Sequence, residues 1–209
     1  MRFNQILFSA TVVTLMLASP RALCEGTGSP PALNLVKGSI LWLEGDSTLH
    51  KYRLNANQLQ VISRMEMEGA GGGAGLEALA AKGGLKSLEV SVAVLGLTSG
   101  ESGLDENMRK ALSAGQYHEI RFRMDSYQSQ PGAEAGALAL RIKGRLQIAA
   151  VEKPIEIDAV AVTDGQAMHV TGTKELLMTD YGVKPPKFML GAMSVRDPVT
   201  VHLDLRLER

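Results

Sequence analysis

From Gly38 onward, apolar and polar residues alternate with a period of two. Around position 120, Ile120, Phe122 and Met124 fall on one side and Glu119, Arg121 and Arg123 on the other. Leu138, Leu140, Ile142, Leu146 and Ile148 alternate with Arg141, Lys143, Arg145 and Gln147. Val199, Val201, Leu203, Leu205 and Leu207 alternate with Thr200, His202, Asp204, Arg206 and Glu208. Successive side chains of an extended chain point to opposite faces, so this pattern predicts strands with one buried and one wet face, as in antiparallel sheets. Weaker alternation over 39–44, 51–63, 87–97, 153–162 and 167–178 brings the expected number of strands to eight.

The segment 103–114 reads differently. Leu104, Met108, Ala111 and Leu112 recur at helical spacing, with Asp105 as the expected N-cap and Gly115 just past the end. Residues 68–84 are rich in Gly and Ala and read as a long connection with a short helix at 76–82. Gln130-Pro131-Gly132, Thr163-Asp164-Gly165 and Asp180-Tyr181-Gly182 are turn signals. Eight antiparallel strands with one apolar face either stack as a sandwich or close as a barrel, and alternation does not choose between them. An eight-stranded barrel is either filled by its side chains or just wide enough for one small ligand.

The N-terminus has the three parts of a secretory signal. Arg2 precedes an uncharged apolar stretch at 6–18, Ser19 and Pro20 break it, and Ala22-Leu23-Cys24 offers small residues at the cleavage positions. The stretch is shorter than the ~20 residues of a membrane span. Cleavage after Cys24 is therefore expected, giving a signal peptide at 1–24, a linker at 25–37 and one domain at 38–209. An uncleaved anchor and an acylated Cys24 are the competing readings, the second weakened by Arg21 and Leu23 beside the cysteine. No later stretch is long and apolar enough to span a membrane.

Cleavage changes the charge balance. The whole chain of 209 residues has 22 basic and 22 acidic residues. Residues 1–24 carry Arg2, Arg21 and the single cysteine, so the mature chain is slightly acidic and free of cysteine. It must fold by packing alone. It lacks the basic footprint of a nucleic-acid binder and the thiols of a Cys-rich metal or iron–sulfur site.

Candidate chemistry is sparse. Asp46, Ser47 and His50 are near in sequence, but a catalytic triad is assembled in space and no Gly-x-Ser-x-Gly elbow accompanies them. Ser47 and His50 are expected to satisfy backbone groups at a turn. His50, His118, His169 and His202 show no zinc-protease spacing, and His202 falls on the wet face of the last strand, so no metal or cofactor is expected. Asp180 reads first as a turn residue and second as part of a rim contact. Lys184-Pro185-Pro186-Lys187 reads equally as a lid or as a stiff loop.

Three blocks resemble the YceI-like family, exported lipocalin-like barrels associated with polyisoprenoid or other long-chain lipid binding. The first is Gly45-Asp46-Ser47-Thr48-Leu49-His50-Lys51-Tyr52. The second begins Leu97-Thr98-Ser99-Gly100, continues through Leu104-Asp105-Glu106-Asn107-Met108, and ends Tyr117-His118-Glu119-Ile120-Arg121-Phe122, with His118 where the family favours proline. The third is Met178-Thr179-Asp180-Tyr181-Gly182-Val183-Lys184-Pro185-Pro186, followed by Met189-Leu190-Gly191-Ala192. The resemblance implies an all-β fold, an eight-stranded antiparallel lipocalin-like barrel with one short helix between strands and an apolar tunnel inside.

On that basis the chain is expected to be an exported binding protein, periplasmic or secreted, and not an enzyme. It would hold an isoprenoid or fatty-acyl-type ligand, with no nucleic-acid partner and with a homodimer left open. The expected wall residues are Val90, Val92, Phe122, Leu140, Ile142, Val170, Val201 and Leu203, with Tyr181 and Met189 near a mouth. Only 4% of residues are aromatic, and an aliphatic, Met-containing lining suits a flexible hydrocarbon chain better than a sugar or a cation. Two other classes compete: a lipid-acting hydrolase or isomerase using His50 and Asp180, and a ligand-free structural or interaction protein of the cell envelope.

Overall fold

A computed structural model describes residues 32–65, 80, 83–164, 167–188 and 193–208. The elements run β1 (Asn34–Leu35), β2 (Ile40–Ser47), β3 (Lys51–Ala56), β4 (Leu59–Met65), β5 (Leu85–Ala93), β6 (Leu97–Thr98), α1 (Ser102–Ala111), β7 (Glu119–Pro131), β8 (Ala137–Ile148), β9 (Val151–Asp164), β10 (Ala167–Leu177), β11 (Lys187–Phe188) and β12 (Met193–Glu208). The expected signal at 1–24 and most of the Gly/Ala-rich stretch lie outside the described residues, as do Met189 and the helix expected at 76–82 apart from Ala80.

All strand pairs are antiparallel, and their order is β4-β5-β7-β8-β9-β10-β12-β2-β3-β6. The two ends of this path are the same pieces of chain. Residues 51–65 bend at Asn57 and Gln58, and residues 85–98 bend through a turn of 3-10 helix at Val94–Gly96. The two stay paired around the bend, because the Asn57 amide donates to the Gly96 carbonyl (2.9 Å) and the Ala93 amide to the Gln58 carbonyl (3.1 Å). The sheet therefore curls into a closed ring, and with each bent segment taken as one strand the ring has eight. Closure gives every long strand a partner on each side over at least part of its length, which leaves little of the free sheet edge that promotes aggregation.

The inner face carries the apolar side chains in two clusters. Leu33, Met65, Ala80, Leu138, Ala161, Met168 and Leu207 pack at one end of the ring. Val94, Leu97, Met108, Leu112, Tyr181, Val183 and Val195 pack at the other, where α1 lies across the opening. Part of the stretch expected as a linker packs against the ring. Leu33 is buried, and β1 pairs with the end of β12. The Leu33 amide donates to the buried Ser63 hydroxyl at 2.6 Å, so the last residues of the expected linker seal one end of the ring.

The helix also differs from expectation. It begins at Ser102, and Asp105 lies inside its first turn rather than at the cap. Its carboxylate is buried and accepts bonds from the Ser99 amide and hydroxyl, both at 2.7 Å. It thus ties the helix to the chain leaving β6, and an acid in the first turn also complements the helix dipole.

Candidate functional site

The ring encloses a cavity of about 270 Å³. Every strand of the ring contributes aliphatic side chains to its wall. Leu104, Met108 and Ala111 of α1 and Leu112 at its C-cap cover it at one end, together with Met178, Tyr181, Val183 and Pro186. Among the described residues, the lining side chains with polar groups are Tyr52, Tyr127, Lys174 and Tyr181. A volume near the lower end of the ~300–1,000 Å³ usual for small-molecule pockets, with so few polar groups, offers little hydrogen bonding to a ligand. Dispersion and the hydrophobic effect are what such a wall supplies.

Nine of the ten expected site residues line this cavity: Val90, Val92, Phe122, Leu140, Ile142, Val170, Tyr181, Val201 and Leu203. The tenth is Met189, outside the described residues. Two of the aromatics fit because glycine faces them. A Cβ on Gly144 would sit 2.6 Å from the Phe122 ring and 2.3 Å from the Arg123 carbonyl oxygen, so only glycine lets the ring lie there. Tyr52 and Gly45 make the same arrangement on β2 and β3.

The tyrosine hydroxyls are the main polar features of the wall. Burial, helped by the nearby Asp46 carboxylate, pushes the Tyr52 phenol up to about 12. Burial first and Asp180 second also raise Tyr181. Both hydroxyls are therefore neutral donors in the physiological range. The Tyr127 hydroxyl accepts a bond from the Leu85 amide at 3.3 Å.

The wall has a seam. β9 and β10 pair from Asp164 and Ala167 only as far as Ala159 and Gly172. Beyond that point β10 continues to pair with β12 and β9 with β8, and no register joins 151–158 to 173–177. A Cβ at Gly172 would lie 2.9 Å from the Asp158 carbonyl oxygen, which places the parting of the strands at this glycine. The far end of the seam is spanned by a Lys153–Asp180 ion pair at 2.9 Å, with the Lys153 ammonium 5.9 Å from the centre of the Tyr181 ring.

Residues considered for catalysis do not gather in the cavity. The Ser47 hydroxyl donates to the His50 carbonyl (2.7 Å) and accepts from the Leu49 and His50 amides (both 3.2 Å), a turn role as expected. The His50 ring lies on the Lys51 carbonyl in solvent, and Asp46 pairs with Arg196. Asp180 differs from the turn role expected of it, since its carboxylate goes to Lys153. Asp197 instead accepts bonds from the Thr179 amide and hydroxyl and holds the 3-10 turn Met178–Tyr181, which Gly182 ends at φ 71°.

The four histidines are likewise separate. His118 meets the Ala114 carbonyl, and His169 meets Asp204 at 2.6 Å. His202 is not free in solvent as expected. Its ring stacks on Trp42 at 4.8 Å, and Arg53 covers the same indole at 4.4 Å. A flat, apolar outer-face neighbour draws the imidazole down onto the sheet. Among the described residues, no three His, Cys, Asp or Glu side chains gather as a metal site.

Lys174 is the site residue that alternation passed over. It follows Met168, Val170 and Gly172 on the inward row of β10 and precedes Leu176, all of them but Gly172 lining the cavity. A lysine in an apolar row was the signal. The four apolar residues of α1 and its C-cap were legible as a helix face but not as the cover of a cavity.

No curated protein matches the chain in sequence. Solved structures share its architecture. BcnA of Burkholderia cenocepacia aligns with 80% of this chain and 95% of its own, at 13% identity and a TM-score of 0.60. A polyisoprenoid binding domain from Saccharophagus degradans aligns with 85% and 97%, at 11% identity and a TM-score of 0.59. The YCEI protein of Campylobacter jejuni aligns with 75% and 84%, at 15% identity and a TM-score of 0.54. At such identities the likeness is one of fold. Sequence carries the assignment further: residues 52–207, from the bent strand that closes the ring to the last strand of its wall, match the YceI-like domain, and the chain belongs to the YceI-like family.

Proposed function

We propose that this protein is an exported carrier that holds a long apolar chain, of isoprenoid or fatty-acyl type, inside the barrel. The observation that carries the reading is the cavity of about 270 Å³ walled by aliphatic and Met side chains. Native interiors do not leave apolar space unfilled cheaply, so a lining of this kind is best explained by an occupant. At ~0.8 kcal/mol per buried methylene, six carbons supply close to 5 kcal/mol before the cost of association. A structural neighbour described as a polyisoprenoid binding domain supports an apolar chain as the occupant. The signal-like residues 1–24 support export, with residues 25–31 as the remaining linker.

Binding is preferred to catalysis because His50 and Asp180, the pair a lipid-acting enzyme would use, both lie off the cavity wall. The test is native mass spectrometry of the purified protein, paired with solvent extraction. One released apolar chain per protein is the expected result. Protein that carries no lipid and takes up neither farnesol nor dodecanol after delipidation would exclude the reading.

A further inference from the structure

We propose that the barrel selects an anionic amphiphile, holding a carboxylate or phosphate headgroup on Lys174 at the β9–β10 seam while the tail fills the cavity. The inference rests on the apolar-chain reading above and adds the headgroup to it. Among the described residues, Lys174 is the one charged side chain on the cavity wall. Its neighbours on that wall are Val170, Leu176, Leu177, Val199 and Val201, which offer an ammonium nothing to bond.

The contrast with Lys153 sharpens the point. Lys153 stands across the seam and has the Asp180 carboxylate at 2.9 Å. No described carboxylate pairs with Lys174 in this way. Removing an ammonium from water without a partner is costly, and a long side chain escapes that cost by reaching toward solvent. The seam provides the route. Lys174 sits where β10 has parted from β9, two residues beyond Gly172, and is half-buried rather than sealed.

A single-chain amphiphile lying through this opening would meet both requirements. Its tail would contact the aliphatic wall, and its headgroup would reach the ammonium at the seam and remain partly hydrated. An anion there forms a charge-assisted bond, stronger than the neutral bond an alcohol makes at the same place.

The experiment compares three ligands of one chain length on the delipidated protein: dodecanol, dodecanoate and dodecyl phosphate. Calorimetry or displacement of a fluorescent fatty acid reads the affinities. One or both anions should bind roughly tenfold tighter than dodecanol, a preference typical of a bond to a charged group. Dodecanoate against dodecyl phosphate then distinguishes the two headgroups. Lys174→Met should erase the preference while dodecanol binding persists, and Lys174→Arg should retain it. Equal affinity for alcohol and anions, or a preference that survives Lys174→Met, overturns the headgroup assignment and leaves the apolar-chain reading standing. Failure of all three ligands to bind removes both.

Discussion

The ring of Tyr52 occupies the space that a side chain at position 45 would need. A Cβ on Gly45 would come within 2.2 Å of the Tyr52 hydroxyl oxygen and 2.3 Å of the ring carbon bearing it. The two residues face each other on β2 and β3. Tyr52 lines the cavity and is only 9% exposed, so it has little room to yield. Gly45→Ala should therefore cost about 1–3 kcal/mol, the usual penalty of overpacking. Urea unfolding reads the loss, and in a Tyr52→Ala background the same glycine change should cost almost nothing.

Alkali should weaken the fold through this tyrosine. Its phenol ionises near 10.0 when unfolded and near 12 when folded. The unfolded chain thus gives up the proton first, and the stabilisation, complete below pH 10, is lost as pH rises toward 12. Tyr181, raised for the same reason, acts with the same sign. The unfolding free energy measured at successive pH values from 9 to about 12 should fall across this window. Tyr52→Phe should flatten the slope, and an unchanged slope would contradict the assignment.

At the helix, Asp105→Ala should destabilise by about 1–3 kcal/mol, because it strands the Ser99 amide and hydroxyl that the carboxylate now satisfies. Asp105→Asn keeps one acceptor oxygen and should cost less. Hydrogen exchange should show the change first in α1 and at Ser99.

Acid should loosen the 3-10 turn Met178–Tyr181. Two bonds from Thr179 hold the Asp197 carboxyl below its ordinary value of 3.8. The stabilisation is present above that value and disappears as pH falls through the depressed one. The protection factor of the Thr179 amide, its exchange rate relative to the intrinsic rate at each pH, should fall on acidification in the native chain. In Asp197→Ala it should be low at every pH.

Filling the cavity should block uptake without unfolding the protein. Val201→Phe places a ring in open apolar space on the wall. Displacing even two methylenes of a bound chain corresponds to roughly a tenfold loss of affinity. Dodecanol binding should fall by at least that factor while the unfolding midpoint holds or rises.

The strands were legible where their phase was constant. Alternation ended at Met124, yet β7 continues to Pro131, because a bulge between Met124 and Ser126 moves the inward set from Ile120, Phe122 and Met124 to Tyr127. An extra residue flips every later side chain, so a period-two pattern stops at a bulge even though the strand does not. The same change of phase separates Tyr52 and Leu54 from Leu59 and Val61, at the bend of 51–65. It was written in the sequence and read as continuous. The wall residues followed from the alternating faces. The volume they enclose did not, because it depends on ring closure between strands far apart in the chain. Lys174 was missed because charge alone assigns a lysine to the wet face, whereas its row on β10 points inward.

The partners of β12 give the barrel an order of assembly. This strand pairs with β10 on one side and with β2, close to residue 40 and about 150 positions away in the chain, on the other. Until it docks, the inner surface is an open apolar gutter, and contacts of such long range form slowly. Capture of a greasy chain must therefore follow the docking of β12 between β10 and β2.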